Sequence, residues 1–144
     1  MRMSNVIFLL GSLTLPNFFN NVWADELQRE STECGAYSQA GMRECLAKKS
    51  NESQAALERA EGQAVAALSK WDEDEKFIKL AKAKLIASSK AYKRYRDAQC
   101  AFATSLGGGA IGNALELRRL SCRIELDIGR TTELNTELSA LPKK

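Results

Sequence analysis

Apolar residues recur every three or four positions along most of this chain, which is the spacing of one face of an α-helix. In the middle of the sequence they are Leu57, Ala60, Ala64, Leu68 and Trp71, and near the end they are Leu117, Leu120, Ile124, Ile128, Leu134, Leu138 and Leu141. The pattern predicts four helices: a short one over residues 38–48, a second that ends near residue 71, a third over residues 74–106 and a last one over residues 112–139.

Three local signals set the boundaries between these helices. Ser50 or Asn51 offers an N-terminal cap for the second helix, because a short polar side chain can accept a hydrogen bond from the first helical turn. The pattern leaves open whether the second and third helices run on as one or meet at a bend near Trp71. Gly107, Gly108 and Gly109 end the third helix, since glycine readily adopts the backbone conformation of a helix C-cap.

An all-α fold is favoured over a mixture of helix and strand. The only prolines are Pro16 and Pro142, so the 125 residues between them lack the strongest helix breaker. Residues 122–128 alternate between apolar and polar as a strand would, but the wider helical spacing around them favours helix. We predict a small antiparallel helical bundle, a long helical hairpin with a short N-terminal helix, fastened by disulfides.

Composition excludes several classes of function. The length of 144 residues allows one domain with a modest core. The chain has no histidine, which excludes Ser-His-Asp and Cys-His catalytic sets and any His-ligated metal. The net charge of +3, with no nucleic-acid motif, does not favour a nucleic-acid partner. We predict a protein that is not an enzyme and has no catalytic residue, cofactor or metal.

The first 24 residues have the layout of a secretory signal peptide. Arg2 gives a positive start, residues 6–15 form a short apolar segment, and Val22 and Ala24 are the small residues that precede a cleavage site. The apolar segment is too short and too interrupted to span a membrane. We expect residues 1–24 to be removed, residues 25–144 to form the mature domain without a transmembrane segment, and the protein to be periplasmic or secreted.

The cysteines agree with export. Four cysteines are an even number, all within the predicted mature domain, and two disulfides are the default in an oxidising compartment. Zinc is the rival interpretation, but the spacing contains no Cys-x-x-Cys pair. Three pairings are possible. Helices three and four must pack side by side, which favours Cys100–Cys122, provided the last helix starts several residues after the glycines, and leaves Cys34–Cys45 to fold the leader onto the first helix.

The block around Cys100 resembles a known family, the LprI-like lysozyme inhibitor domain of small exported bacterial proteins. The resemblance spans about residues 34–134 and is carried by an aromatic residue, a Tyr-Arg-Asp triplet, a Cys, a glycine-rich bend, a second Cys and a downstream Arg with Glu-Leu. These are Tyr92, Tyr95, Arg96, Asp97, Cys100, Gly107, Gly108, Gly109, Cys122, Arg130, Glu133 and Leu134. The resemblance implies a binding protein whose partner is a lysozyme-like or other peptidoglycan hydrolase.

The motif residues allow an architectural and a recognition role. In the first, Tyr92 and Tyr95 fill the helix interface, and Arg96 or Asp97 ties the third helix to the last one, with Arg130 as the partner of Asp97. In the second, Arg96 and Asp97 form an inhibitory site. The glycines at 107–109 are either a turn between two helices or a narrow loop that enters a hydrolase cleft.

Charge is unevenly distributed along the chain. Residues 25–75 contain twelve acidic and six basic residues, whereas residues 76–96 contain eight basic residues and no acid. The acidic half would steer a cationic enzyme such as lysozyme, whereas the Lys76–Arg96 face would suit an anionic polymer, an acidic toxin or simply solvent.

We therefore predict an exported inhibitor that occludes the cleft of a lysozyme-type hydrolase. The alternatives are a periplasmic immunity protein against a cell-wall-degrading toxin, and an envelope adaptor that binds anionic polymer through the Lys76–Arg96 face. The sequence does not fix the oligomeric state.

Overall fold

Three long helices build the fold. The computed structural model describes residues 33–110 and 112–142, and there α1 spans Gln39–Leu68, α2 spans Glu75–Ser105 and α3 spans Ala114–Ser139. Residues 33–35 form one further helical turn, and the described residues contain no strand element. The all-α prediction is confirmed. The predicted signal peptide and its cleavage site lie outside the described residues.

The first two predicted helices are one continuous helix, so the predicted break at Ser50 or Asn51 is wrong. α1 begins instead at Ser38, whose hydroxyl accepts a hydrogen bond from the backbone N–H of Gly41. Ser50 is buried inside the helix, and its carbonyl accepts a hydrogen bond from the hydroxyl of Ser53. Small hydroxyl residues that bond back onto their own helix are compatible with its interior. The apolar stripe on either side therefore continues unbroken.

The other helix boundaries follow the prediction closely. α1 ends at Leu68, and residues 69–74 form a turn before α2. The second and third predicted helices are therefore separate and do not run on as one near Trp71. The glycines at 107–109 lie in the turn that ends α2. Residues 122–128, which alternate like a strand, lie within α3.

The helices run up, down and up, and α3 lies between the other two. α3 is antiparallel to α2 and packs most extensively on α1, to which it is parallel, whereas α1 and α2 contact each other least. One buried cluster joins α1 to the first half of α3, and a second joins α1 to the last turns of α3. Their members are Cys34, Leu46, Leu120 and Ile124 in the first, and Leu57, Ala60 and Leu134 in the second.

Both predicted disulfides are present, and both lie at the same end of the bundle. Cys34–Cys45 fastens the segment before α1 onto that helix, and Cys100–Cys122 links the end of α2 to the start of α3. The delayed start of α3, at Ala114, gives Cys122 the register that this second pairing requires. At the opposite end, the turn between α1 and α2 is held to the last described residues by a hydrogen bond from the N–H of Asp72 to the carbonyl of Pro142.

Candidate binding surface

A buried ion pair joins the motif on α2 to α3. The Nη1 of Arg96 donates to both carboxylate oxygens of Asp127, at 2.9 and 3.0 Å. Asp127 is fully buried, and Arg96 is 6% exposed. Burial raises the pKa of the Asp127 carboxyl, while the bond from Arg96 opposes that rise, and the same bond raises the pKa of Arg96 although burial would lower it. A charge-assisted pair of this kind fixes the register of two helices.

The predicted pairing of Asp97 with Arg130 is wrong. Asp97 is exposed and lies 3.5 Å from the Nε of Arg96 and 3.7 Å from Nη1 of Arg123. Arg130 instead pairs with Glu133 on its own helix. Asp97 follows Arg96 by one residue and therefore points about 100° further round the helix, away from Arg130.

The two motif tyrosines have different environments. Tyr92 is half-buried and packs against the second cluster. Tyr95 is 54% exposed and does not fill the interface as predicted. Arg130 lies 5.8 Å from the centre of the Tyr92 ring and donates to the hydroxyl of Ser88. The Tyr92 hydroxyl is buried with no hydrogen-bond partner among the described residues. Burial, reinforced by the charge of Asp127, raises the pKa of this phenol.

Arg96, Asp127, Tyr92 and Arg130 therefore serve the contact between α2 and α3. Sequence reasoning missed Asp127, although a signal was present. This acid stands between Ile124 and Ile128, on the apolar stripe of α3, where an unpaired carboxylate is costly. An acidic residue in such a stripe indicates a buried cation opposite it.

The turn between α2 and α3 projects from the disulfide-fastened end of the bundle. We call residues 106–110 the tip. Gly107 is closely packed, because a Cβ there would require the end of the Leu115 side chain to move and would lie 3.2 Å from the Thr104 carbonyl oxygen. Gly108 has a φ of +55°, which favours glycine. Gly109 has open space around its Cα, so neither packing nor backbone conformation demands glycine there.

The tip is uncharged and lacks large side chains at its centre. No charged residue occurs between Asp97 and Glu116 in the sequence. Gly108 and Gly109 are exposed, and Leu106, where the tip begins, is 63% exposed. The tip is therefore a narrow, neutral turn, and the Cys100–Cys122 disulfide links the two helices that carry it.

The basic residues of α2 are partly balanced by acids. A shallow cleft of about 390 Å³ separates α1 from α2, and its walls carry Glu58 and Glu61 from α1 and Lys90 and Lys93 from α2. At the start of α2, further lysines lie near acidic neighbours: Lys76 is 3.8 Å from Asp74, and Lys79 is 3.7 Å from Glu75. The Lys76–Arg96 face is less cationic than its sequence suggests.

The described residues contain no cluster of three or more His, Cys, Asp or Glu side chains arranged to hold a metal ion. Within residues 33–110 and 112–142 no helix has the length and hydropathy needed to cross a membrane.

Comparison with known proteins identifies the family. The sequence profile of the family described as "Lysozyme inhibitor LprI" matches residues 30–134. No curated protein and no solved structure matches the chain. The match includes all four cysteines, the α2 motif and the tip, and it covers well over half of the sequence. The chain therefore belongs to the LprI family of lysozyme inhibitors.

Proposed function

We propose that this protein is an exported, non-catalytic inhibitor that occludes the substrate cleft of a lysozyme-type peptidoglycan hydrolase with its tip. Membership of a lysozyme inhibitor family supports the class of partner, and the two disulfides support export to an oxidising compartment. The observation that carries the choice of surface is the uncharged, glycine-rich tip at the covalently fastened end of the bundle.

The shape of the tip suits a concave site. Substrate clefts are grooves into which only a narrow projection can enter. Gly108 and Gly109 present backbone without side chains. The Gly108 N–H already donates to the Ser105 carbonyl, but the Gly109 N–H and the carbonyls of both glycines can bond to the polar groups that otherwise hold sugars. Glycosidases of this type have two carboxyl groups at the scissile bond. An uncharged tip places no anion against them.

Preorganisation supports the same choice. A flexible loop loses conformational entropy when it binds, which lowers affinity. The Cys100–Cys122 disulfide and the Arg96–Asp127 pair hold the helices below the tip. The bundle would then carry the tip as a rigid part, with little ordering left to occur on binding.

Charge supports a cationic target. The acidic excess of residues 25–75 would attract a cationic enzyme during diffusional encounter. Exposed carboxylates of this region include Glu44, Glu52 and Glu58 on α1. Steering of this kind increases the association rate and weakens as salt is added.

An immunity protein against a cell-wall-degrading toxin would use the same surface on a different enzyme, so the two differ only in the target. An envelope adaptor that binds anionic polymer through the Lys76–Arg96 face is less well supported. Arg96 is buried, and Glu58, Glu61, Asp74 and Glu75 lie beside the remaining lysines.

The test is a lysis assay with the full chain, purified with both disulfides formed, against a panel of lysozyme-type enzymes. We expect inhibition of at least one of them. Gly109→Glu should raise the inhibition constant about 30-fold, the effect of a roughly 2 kcal/mol binding hot spot. Gly62→Glu is the matched control, because Gly62 is an exposed α1 glycine with open space around it, and it should leave the inhibition constant within about twofold.

Two results would contradict the proposal. If Gly109→Glu and Gly62→Glu inhibit alike, the tip does not enter the cleft. If no enzyme of the panel is inhibited and the protein instead sediments with purified cell wall in a salt-sensitive manner, the adaptor function replaces inhibition.

A further inference from the structure

α2 leaves large apolar side chains uncovered in its first two turns and in its last three. Only Ile78, Arg96 and Cys100 of its 31 residues are buried, although it contains many apolar side chains. Counting its C-cap, six large apolar side chains are between 43% and 63% exposed, and one of them, Ile86, faces the cleft toward α1. The other five are Phe77 and Leu80 in the first turns and, towards the tip, Tyr95, Phe102 and Leu106.

These five side chains lie on one narrow line, which we call the α2 stripe. With about 100° per residue, Phe77, Tyr95, Phe102 and Leu106 fall within about 40° of one another, and Leu80 lies at the edge of the group. Small or polar exposed residues occupy the same line between them: Lys84, Ser88, Ala91 and Ala98. The steps of three and four over about 43 Å are those of a helix that packs against another helix.

The basic residues of α2 mostly avoid the stripe. Lys79, Lys82, Lys90 and Lys93 project from the opposite half of the helix, toward α1 and solvent. Lys84 is the one charged residue on the line of the stripe. α2 therefore has three faces: one toward α3, one basic, and one mostly apolar, on which Ser88 accepts a hydrogen bond from Arg130 of α3.

We propose that the α2 stripe is the interface of a homodimer, in which a second copy packs antiparallel with Ala91 on the two-fold axis. This register places Leu80 opposite Phe102 of the second copy, and Lys84 opposite Ala98. Phe77 then lies beside Leu106. Large residues therefore meet near both ends of the pair, Tyr95 lies opposite the small Ala87, and Ala91 meets itself where the two helices approach most closely.

Charge favours the antiparallel over the parallel arrangement of two copies. The first half of α2 is basic, whereas residues 98–115 carry no charge. Antiparallel packing sets each basic half beside the uncharged half of the other copy, while parallel packing would align the two basic halves. A cationic protein would meet Lys76, Lys84 and Arg94 at the edges of the stripe.

The exposed area is sufficient for a weak specific dimer. A large side chain has about 200 Å² of surface, so five of them at roughly half exposure offer about 500 Å² per copy. Two copies would bury about 1,000 Å², which is the lower limit for a specific interface. Leu106 is the one tip residue on the stripe, and the exposed glycines Gly108 and Gly109 lie beyond its end, so each end of the dimer carries one pair of them.

Sedimentation equilibrium of the full oxidised chain tests the assembly. We expect the average mass to approach twice that of one chain as concentration rises through the micromolar range. Leu80→Lys should weaken association at least about tenfold, because it removes apolar surface from the interface and requires an ammonium group to be desolvated there. Ile86→Lys is the matched control: Ile86 is 50% exposed, against 54% for Leu80, but lies at the α1–α2 cleft and not on the stripe.

Cross-linking with a short bismaleimide tests the register without removing a large apolar residue. Ala91→Cys should cross-link to itself, whereas Ala83→Cys, exposed on the basic side, should not. Lys84→Cys and Ala98→Cys should each stay monomeric alone, since identical positions lie about 20 Å apart along the pair. A mixture of these two variants should give the cross-linked heterodimer.

Three results would overturn the proposal. A monomer mass at all concentrations shows that the stripe has no second copy as its occupant, and equal effects of Leu80→Lys and Ile86→Lys place any interface elsewhere. Failure of the mixed Lys84→Cys and Ala98→Cys sample to cross-link excludes the antiparallel register. Inhibition of lysozyme by the Leu80→Lys variant is measured in parallel, because the tip function and dimerisation can each fail without the other.

Discussion

The buried pair of Arg96 and Asp127 gives the most direct test of how this bundle is held together. Replacing Asp127 by Asn leaves the buried Arg96 guanidinium with only the exposed Asp97, 3.5 Å from its Nε, as a counter-charge, and Arg96→Met leaves a fully buried carboxylate. Two unit charges about 4 Å apart attract by about 4 kcal/mol at an effective dielectric constant of 20. Breaking one side of such a pair costs about 3–5 kcal/mol.

The assay is urea or thermal unfolding of the oxidised protein, followed by circular dichroism at pH 7. We expect each single variant to lose about 4 kcal/mol in the free energy of unfolding, which lowers Tm by roughly 15–30 °C for a domain of this size. The double variant Arg96→Met/Asp127→Leu should recover most of the loss, because an apolar pair of similar volume needs no desolvation of charge. The control is Glu133→Gln, which breaks the more exposed Arg130–Glu133 pair and should cost less than about 1 kcal/mol.

Two outcomes would refute this reasoning. A loss below about 1 kcal/mol in Asp127→Asn would mean that the pair is solvated and does not hold α2 against α3. A double variant no more stable than Arg96→Met alone would mean that removing the second charge relieves nothing and that the two side chains are not coupled.

Three further predictions concern Tyr92, the tip and the second disulfide. Tyr92→Phe should stabilise the protein by about 1 kcal/mol at pH 7, because it removes a buried hydroxyl without a partner. The folded state raises the pKa of Tyr92, so the wild type should lose stability as pH rises above about 10, where the unfolded phenol ionises. Tyr92→Phe should lose less stability over the same range. Denaturant titrations of the wild type and the variant at pH 7 and 11 check these expectations. Gly107→Ala should lower Tm slightly, because its Cβ would displace the Leu115 side chain and approach the Thr104 carbonyl oxygen, whereas Gly109→Ala should leave Tm unchanged within error. Replacing Cys100 and Cys122 together by Ser should lower the free energy of unfolding by about 3 kcal/mol, and an unchanged urea midpoint would contradict that estimate.

The sequence was sufficient for those parts of the fold that depend on short-range patterns. The ends of α2 and α3 are marked by an acidic first turn and by the glycines, and the disulfide pairing follows from which helices must lie side by side. The predicted break at Ser50 was wrong because a serine can cap the start of a helix or pack inside one, and the residue type alone does not decide between these roles. Only the close approach of α3, which the sequence does not display, distinguishes the two.

The site was harder to predict than the fold because it depends on rotation of helices about their own axes. Whether Arg96 or Asp97 faces α3 is decided by about 100° of rotation, and a motif that includes both residues fits either choice. The same uncertainty separates Tyr92 from Tyr95. The spacing of apolar residues predicted α2 as a helix, but which of these residues are exposed depends on which face of α2 meets α3.

Both covalent links lie at the end of the molecule that carries the tip, and the far end has none among the described residues. Opening fluctuations should therefore begin at the turn over residues 69–74 and spread toward the cysteines. Amide hydrogen exchange should be fastest in the last turn of α1 and the first turn of α2, and slowest near Cys100 and Cys122. A protease that cuts after Lys70 would leave the end that carries the tip assembled, whereas a reducing agent would loosen that end first.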